Sequence, residues 1–165
     1  MKIGITGHTS GIGKAIFEMY PDSIGWSRSN GYDIKKPDKI IRECKNLDVV
    51  INNAHDGFAQ IPFLYKLTNS FDGKIINIGS VSGDGNKSRR HVYAVEKNAL
   101  DKASEQLYYL GYDITNLRLG LTDTPRVNKP KWKGREKMPP EYVVSVIAWI
   151  LEQPYRVKDI TVDPK

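Results

Sequence analysis

"MKIGITGHTSGIGKAIFEMY", residues 1–20, decides how this chain folds. An apolar run over residues 1–6 stops at a glycine-rich turn, and Ile12, Ala15, Ile16, Met19 and Tyr20 then recur at helical spacing. The unit is strand, glycine turn, helix. In the turn, "TGHTSGIG" at 6–13, Gly7, Gly11 and Gly13 let the backbone bend tightly, and the helix that follows presents unpaired amides at its N-terminus. Such a turn brings backbone close to an anionic group, a pyrophosphate above all.

The same alternation continues outward. "SIGWS" at 23–27 reads as a second strand, and Pro37 opens a short helix carrying Ile40, Ile41 and Cys44. "LDVVIN" at 47–52 is a third strand, "FLYKL" at 63–67 a helix, and "KIINIG" at 74–79 a fourth strand. A long helix runs from about Tyr93 to Leu110 and is closed by Gly111. "ITNLRL" at 114–119, the helix "EYVVSVIAWIL" and a last strand in "DITVD" complete the chain. Strands alternating with helices imply a Rossmann-like, doubly wound α/β domain over residues 1–165, a parallel sheet with ligands beyond the carboxyl ends of its strands.

Composition sets bounds. The chain has 165 residues, 39% hydrophobic and 27% charged, which is one domain's worth of core. No apolar run approaches a membrane span. The first strand begins at once, with no basic leader and apolar signal segment, so a cytoplasmic protein is expected. One cysteine, Cys44, excludes an intrachain disulfide and a cysteine-based metal site, and no metal is expected. The net charge of +6 is concentrated in two places. "RVNKPKWKGREKM" at 126–138 carries Arg126, Lys129, Lys131, Lys133, Arg135 and Lys137 against Glu136, and "NKSRRH" adds Lys87, Arg89 and Arg90. The remainder is slightly acidic.

Tyr93 and Lys97 in "YAVEK" stand at i and i+4, on one helical face. An ammonium near a phenol favours the phenolate, so such a tyrosine can exchange a proton with a carbonyl or alcohol oxygen. Four segments set this pair in context: the glycine turn with three residues and then one between its glycines, "NNAH" at 52–55, "NIGSVSG" at 77–83, and "RLGLTDTP" at 118–125. In type and order they resemble the short-chain dehydrogenase/reductase family, almost from end to end.

The resemblance implies a catalytic set of Ser80, Tyr93 and Lys97, with Ser80 orienting the substrate oxygen and Lys97 also holding the nicotinamide ribose. It implies a dinucleotide bound along Gly7, Thr9, Ser10, Gly11, Ile12 and Gly13, with Asn53, Ala54 and His55 beside it and Thr122 and Thr124 on the carboxamide and phosphate side. Asp33 and Ile34 resemble the family's adenine-binding pair. At the end of the second strand the sequence presents Ser27, Arg28 and Ser29 where an acid would select NAD, so NADP(H) is favoured over NAD(H).

The chain is short for the family. The span from Gly13 to Asn52 leaves no room for one strand and one helix, so six strands in the order 2-1-3-4-5-6 are expected. The stretch from "NNAH" to "KIINIG" is also shortened, and the asparagine that completes the family's catalytic tetrad has no counterpart that can be assigned. His55 stands where the family has glycine, and Leu119 where it commonly has proline.

The leading expectation is a minimal oxidoreductase acting on a small carbonyl or alcohol substrate, an anionic one if the basic segment faces the site. The alternative is a non-catalytic NADP(H)-binding protein, a sensor or interaction module. Nucleic acid is not expected as a partner, since no recognition helix or stacking-aromatic pattern accompanies the charge. The resemblance also implies a homodimer.

Overall fold

Alternation along the central strands divides the core in two. Val50 points to one face of the sheet while Val49 and Ile51 point to the other, and Ile75 opposes Ile76 and Ile78 in the same manner. Both faces are therefore apolar, which only helices on both sides can cover. A computed structural model describes residues 1–84 and 90–165 and shows this arrangement.

The strands are β1 (Ile3–Thr6), β2 (Ile24–Trp26), β3 (Val49–Asn52), β4 (Lys74–Ser80), β5 (Ile114–Leu119) and β6 (Asp159–Val162). Between them lie α1 (Gly11–Met19), α2 (Asp38–Cys44), α3 (Gln60–Thr68), α4 (Val92–Tyr109) and α5 (Pro140–Glu152). All neighbours pair in parallel, in the order β2-β1-β3-β4-β5-β6, as the sequence implies. Helices α1 and α5 pack on one face, where Ile16, Val143, Ile147 and Ile150 meet Ile5, Ile51 and Leu117. On the other face α2, α3 and α4 bring Ile40, Phe63, Leu64, Leu67, Leu100 and Leu107 against Val50, Ile75 and Ile114.

Two boundaries differ from the sequence reading. Helix α3 starts three positions before "FLYKL", at Gln60, with Pro62 inside its first turn. A first-turn amide has no intrahelical acceptor, so proline costs nothing there. This extension brings Gln60 into the interior. Pro37 is the N-cap of α2 rather than its first residue.

Strand order reverses between β1 and β3, and the loops after β1, β2, β3, β4 and β5 open at the same end of the sheet. Among the described residues no helix is long and apolar enough to cross a membrane, and no group of side chains is arranged to hold a metal ion. Cys44 is buried, and desolvation pushes its thiol up to about 12, which makes it a packing residue.

Phe63 is fully buried between α3 and the sheet. Phe63→Ala should cost about 3–5 kcal/mol in a denaturant titration, whereas a loss under about 1 kcal/mol would contradict this core.

Candidate active site

The glycine turn is held by contacts that its residue types require. Gly7 has φ +73° and Gly11 φ +54°, both left-handed. Gly13 faces the turn instead of the cleft: a Cβ there would lie 2.2 Å from the Gly7 carbonyl oxygen. From β3, the Asn53 side-chain amide donates to the Thr6 and Gly7 carbonyls at 2.9 and 3.3 Å, and Thr6 Oγ1 accepts from the amides of Asn53 and Ala54. The first turn of α1 carries no acidic residue, and its N-cap, Ser10, makes no side-chain capping bond. Its amides and the positive end of its dipole are left for an anion.

This turn lines a cleft of about 1550 Å³, between the loops that follow β2 and β3. Ligand pockets commonly measure roughly 300–1,000 Å³, so this cleft is large for a single small molecule. Thr9, Ser10 and Ile12 line it, as do Ala54 and His55 after β3. Thr122 and Thr124 line it after β5, and Thr124 packs on Gly11. The sequence-derived residues thus meet in one cleft, apart from Gly13, which shapes the turn behind it.

Beside the turn, where Gly7 donates to the Trp26 carbonyl at 2.7 Å, the residues after β2, Ser27, Arg28, Ser29, Asp33 and Ile34, line the wall. Arg28 is exposed and stands 3.6 Å from Asp56, which also holds Lys35 at 2.9 Å. These cations, Lys35 first, hold the Asp56 carboxyl below its ordinary value. Asp33 accepts from the Lys35 amide and so fixes the loop. Two cations therefore flank the position after β2, and Lys35 was not singled out from sequence.

Lys97 is buried, with 3% of its surface exposed. Its Nζ donates to Gln60 Oε1 and to the Ile78 carbonyl, each at 2.7 Å, and sits 5.8 Å from the centre of the Tyr93 ring. Gln60 is buried too, and its Nε2 donates back to the Asn52 carbonyl at 2.9 Å. Asn52 bonds Asn77, and Asn77 bonds Ser104. A polar chain thus runs through the apolar layer from α3 to α4 and holds the ammonium. Burial, and then the charge of Arg126, push the Lys97 ammonium down to about 7.

Ser80 ends β4 with its hydroxyl oxygen accepting from the Ser82 amide at 3.2 Å. That bond leaves the hydroxyl proton to donate into the cleft. The capping role expected of an ordinary turn serine and a role toward a bound oxygen are compatible here. His55 meets the Tyr93 ring edge-on at 5.0 Å, and its Nε2 pairs with Glu96 at 2.9 Å. Burial first, then the Lys97 and Arg126 charges, lower the His55 pKa, and Glu96 opposes them. The Arg126 guanidinium lies 4.6 Å from the Tyr93 ring centre. Lys87 and Arg89 lie outside the described residues, while Arg90 lines the cleft.

Gln60, Glu96 and the specific position of Arg126 escaped sequence reasoning. Glu96 could have been found, since it follows Tyr93 at i+3 on the same helix. For Gln60 no sequence signal exists.

No protein-family model matches the chain. It is 29% identical over 107 residues to an uncharacterized oxidoreductase of Staphylococcus saprophyticus, covering 61% of this chain and 46% of that protein. It is 27% identical over 145 residues to an uncharacterized oxidoreductase of Staphylococcus epidermidis, covering 84% and 59%. The match thus spans about half the length of these curated relatives. Among solved structures, a 4-hydroxyisoleucine dehydrogenase mutant complexed with NADH and succinate superposes with a TM-score of 0.82 at 18% identity, covering 99% of this chain and 97% of the other. The closed form of serine dehydrogenase complexed with NADP+ gives 0.78 at 18% identity, covering 99% and 94%. A solved short chain dehydrogenase/reductase family protein gives 0.76 at 17% identity, covering 99% and 95%. In motif order, strand order and fold, this unusually short chain resembles the short-chain dehydrogenase/reductases over nearly its whole length.

The folded chain binds the Lys97 proton more weakly than the unfolded chain does, so stability rises as pH climbs from about 7 toward the ordinary lysine range. Lys97→Met should abolish that rise. By NMR of labelled lysines, Lys97 should titrate near pH 7 in the ligand-free protein, and Gln60→Leu should move the midpoint lower by removing an acceptor that favours the ammonium. A Lys97 that titrates with the exposed lysines contradicts the buried geometry.

Proposed function

We propose that this chain is a minimal NADP(H)-dependent oxidoreductase that interconverts a small carbonyl compound and its alcohol. The observation that carries the reading is the convergence of Ser80, Tyr93 and buried Lys97 in the cleft that the glycine turn opens. The curated relatives named oxidoreductases, and the solved structures of this fold holding NADH or NADP+, support a nicotinamide cofactor. Arg28 and Lys35, with Ser27 and Ser29, favour the phosphorylated form.

The residues present suit such a cofactor. The α1 N-terminus accepts a pyrophosphate, and the left-handed Gly7 and Gly11 allow its close approach. Bound there, the cofactor supplies the hydride. Lys97 would meet the nicotinamide ribose, and Ala54, His55, Thr122 and Thr124 would line the cofactor's path. In reduction, the Ser80 hydroxyl donates a hydrogen bond to the carbonyl oxygen. The Tyr93 hydroxyl delivers its proton to the same oxygen as negative charge develops on it. The Lys97 ammonium, fixed by Gln60 and Ile78, stabilises the phenolate that remains. In oxidation the tyrosine takes the proton back.

A small substrate fits the space beside Tyr93, and the cations there favour an anionic one. A homodimer pairing through α3 and α4 is supported by exposed Tyr65, Val92 and Val95 on those helices. A cytoplasmic setting accords with a single, inert cysteine. The second reading, a non-catalytic NADP(H)-binding protein, is favoured by one observation: the stretch between β3 and β4, where the family resemblance puts the tetrad asparagine, holds a single helix, α3.

Fluorescence titration should give tighter binding of NADPH than NADH. Arg28→Ala should weaken NADPH about 10-fold or more and NADH little, as loss of a charge-assisted contact predicts. Equal losses would remove Arg28 from the 2'-phosphate. In a carbonyl panel followed by nicotinamide absorbance, Tyr93→Phe should lower turnover at least about 100-fold with NADPH affinity retained. NADPH binding without oxidation by any carbonyl would establish the second reading.

A further inference from the structure

Around Tyr93 the cleft wall gathers basic side chains, while Glu136 and Asp163, which line the same cleft, form no ion pair among the described residues. Arg126 lies over the phenol ring at 4.6 Å, and His91 approaches the same ring at 6.2 Å. Arg90 lines the same wall. Glu96, the carboxylate nearest this group along α4, is engaged by His55 at 2.9 Å. In the basic segment, Lys137 pairs with Asp123 at 3.3 Å, whereas among the described residues Arg126 has no carboxylate within ion-pair distance. Its charge also disfavours the protonated forms of both His55 and Lys97. Positive groups are therefore crowded around one phenol, and an anion seated among them would relieve the repulsion.

We propose that Arg126 anchors a carboxylate of the substrate, so that the substrate is a short oxo acid, reduced to the corresponding hydroxy acid. This deepens the reductase reading and rests on it for the chemistry, though not for the binding. A guanidinium offers paired donors that match a carboxylate. With the guanidinium carbon 4.6 Å from the phenol ring centre, a short molecule can reach the guanidinium with a carboxylate and the tyrosine hydroxyl with its carbonyl oxygen. The step balances: a hydride equivalent from the dinucleotide reaches the carbonyl carbon, the Tyr93 proton reaches its oxygen, and the carboxylate stays ionised on Arg126 throughout. Arg126 thus selects and orients the substrate without exchanging a proton.

The test compares pyruvate with methyl pyruvate and acetoacetate with methyl acetoacetate, using wild-type protein and Arg126→Gln. Wild type should reduce at least one acid with kcat/KM about 10- to 100-fold above its ester. Arg126→Gln should remove that preference mainly by raising KM for the acid alone, with any change in kcat shared by acid and ester, and leave NADPH affinity unchanged; Arg126→Lys should restore part of the preference. Esters reduced as well as acids, an equal loss of kcat/KM on both, or weakened NADPH binding would overturn the anchor, the last by assigning Arg126 to the cofactor phosphates. If no carbonyl is reduced, calorimetric titration of oxamate into the protein–NADP+ complex decides separately. Oxamate binding that Arg126→Gln abolishes supports the anchor while the reductase reading fails, and absence of oxamate binding to wild type overturns the anchor.

Discussion

The site depends on an ammonium buried between two layers of the fold. Lys97 donates to a carbonyl of β4 and to a side-chain amide of α3, and these bonds make its burial tolerable. An unpaired ammonium in an apolar layer would be prohibitively costly, whereas one with short, charge-assisted bonds is held in a single position. The same amide reaches back to the end of β3. The places of α3, β3, β4 and α4 are therefore tied to one polar chain, and the Tyr93 ring rides on the helix that this chain fixes.

That chain also accounts for a shortened connection that still builds a site. The stretch between β3 and β4 keeps a single helix. By beginning that helix at Gln60, ahead of Pro62, the protein places an amide against the lysine without needing a longer connection. His55, in a position that the family resemblance assigns to glycine, fills the space beside Tyr93 and is itself held by Glu96. Support lost from the chain's length is thus supplied by side chains, in a core where polar groups are bonded to one another.

Much of this was legible in the sequence, and the reasons are physical. The parallel sheet followed from apolar runs separated by helical periodicity, because that pattern reflects burial on both faces, and its order followed from the family resemblance less one strand and helix. That Ser80, Tyr93 and Lys97 would meet in one cleft was legible because their order matches a known motif set. Gln60 was not, because its partners Lys97 and Asn52 meet it only through the crossing of α3 over the sheet, and a glutamine after a loop carries no local signal. Arg126 was visible only as one charge in a basic run. Its distinction is its place above the phenol, which depends on how the segment after β5 returns to α5.

The proposed reaction passes hydride from a dinucleotide to a carbon held beside Tyr93. Its most direct measurement uses NADPH carrying deuterium at the transferring position, a carbonyl substrate found for the protein, and mass spectrometry of the alcohol. Deuterium is expected on the carbinol carbon, and in a parallel run in heavy water with unlabelled cofactor none on that carbon, label at neighbouring carbons arising from enol exchange of the carbonyl compound. Alcohol whose carbinol hydrogen comes from solvent, or label left entirely on the cofactor, would contradict it.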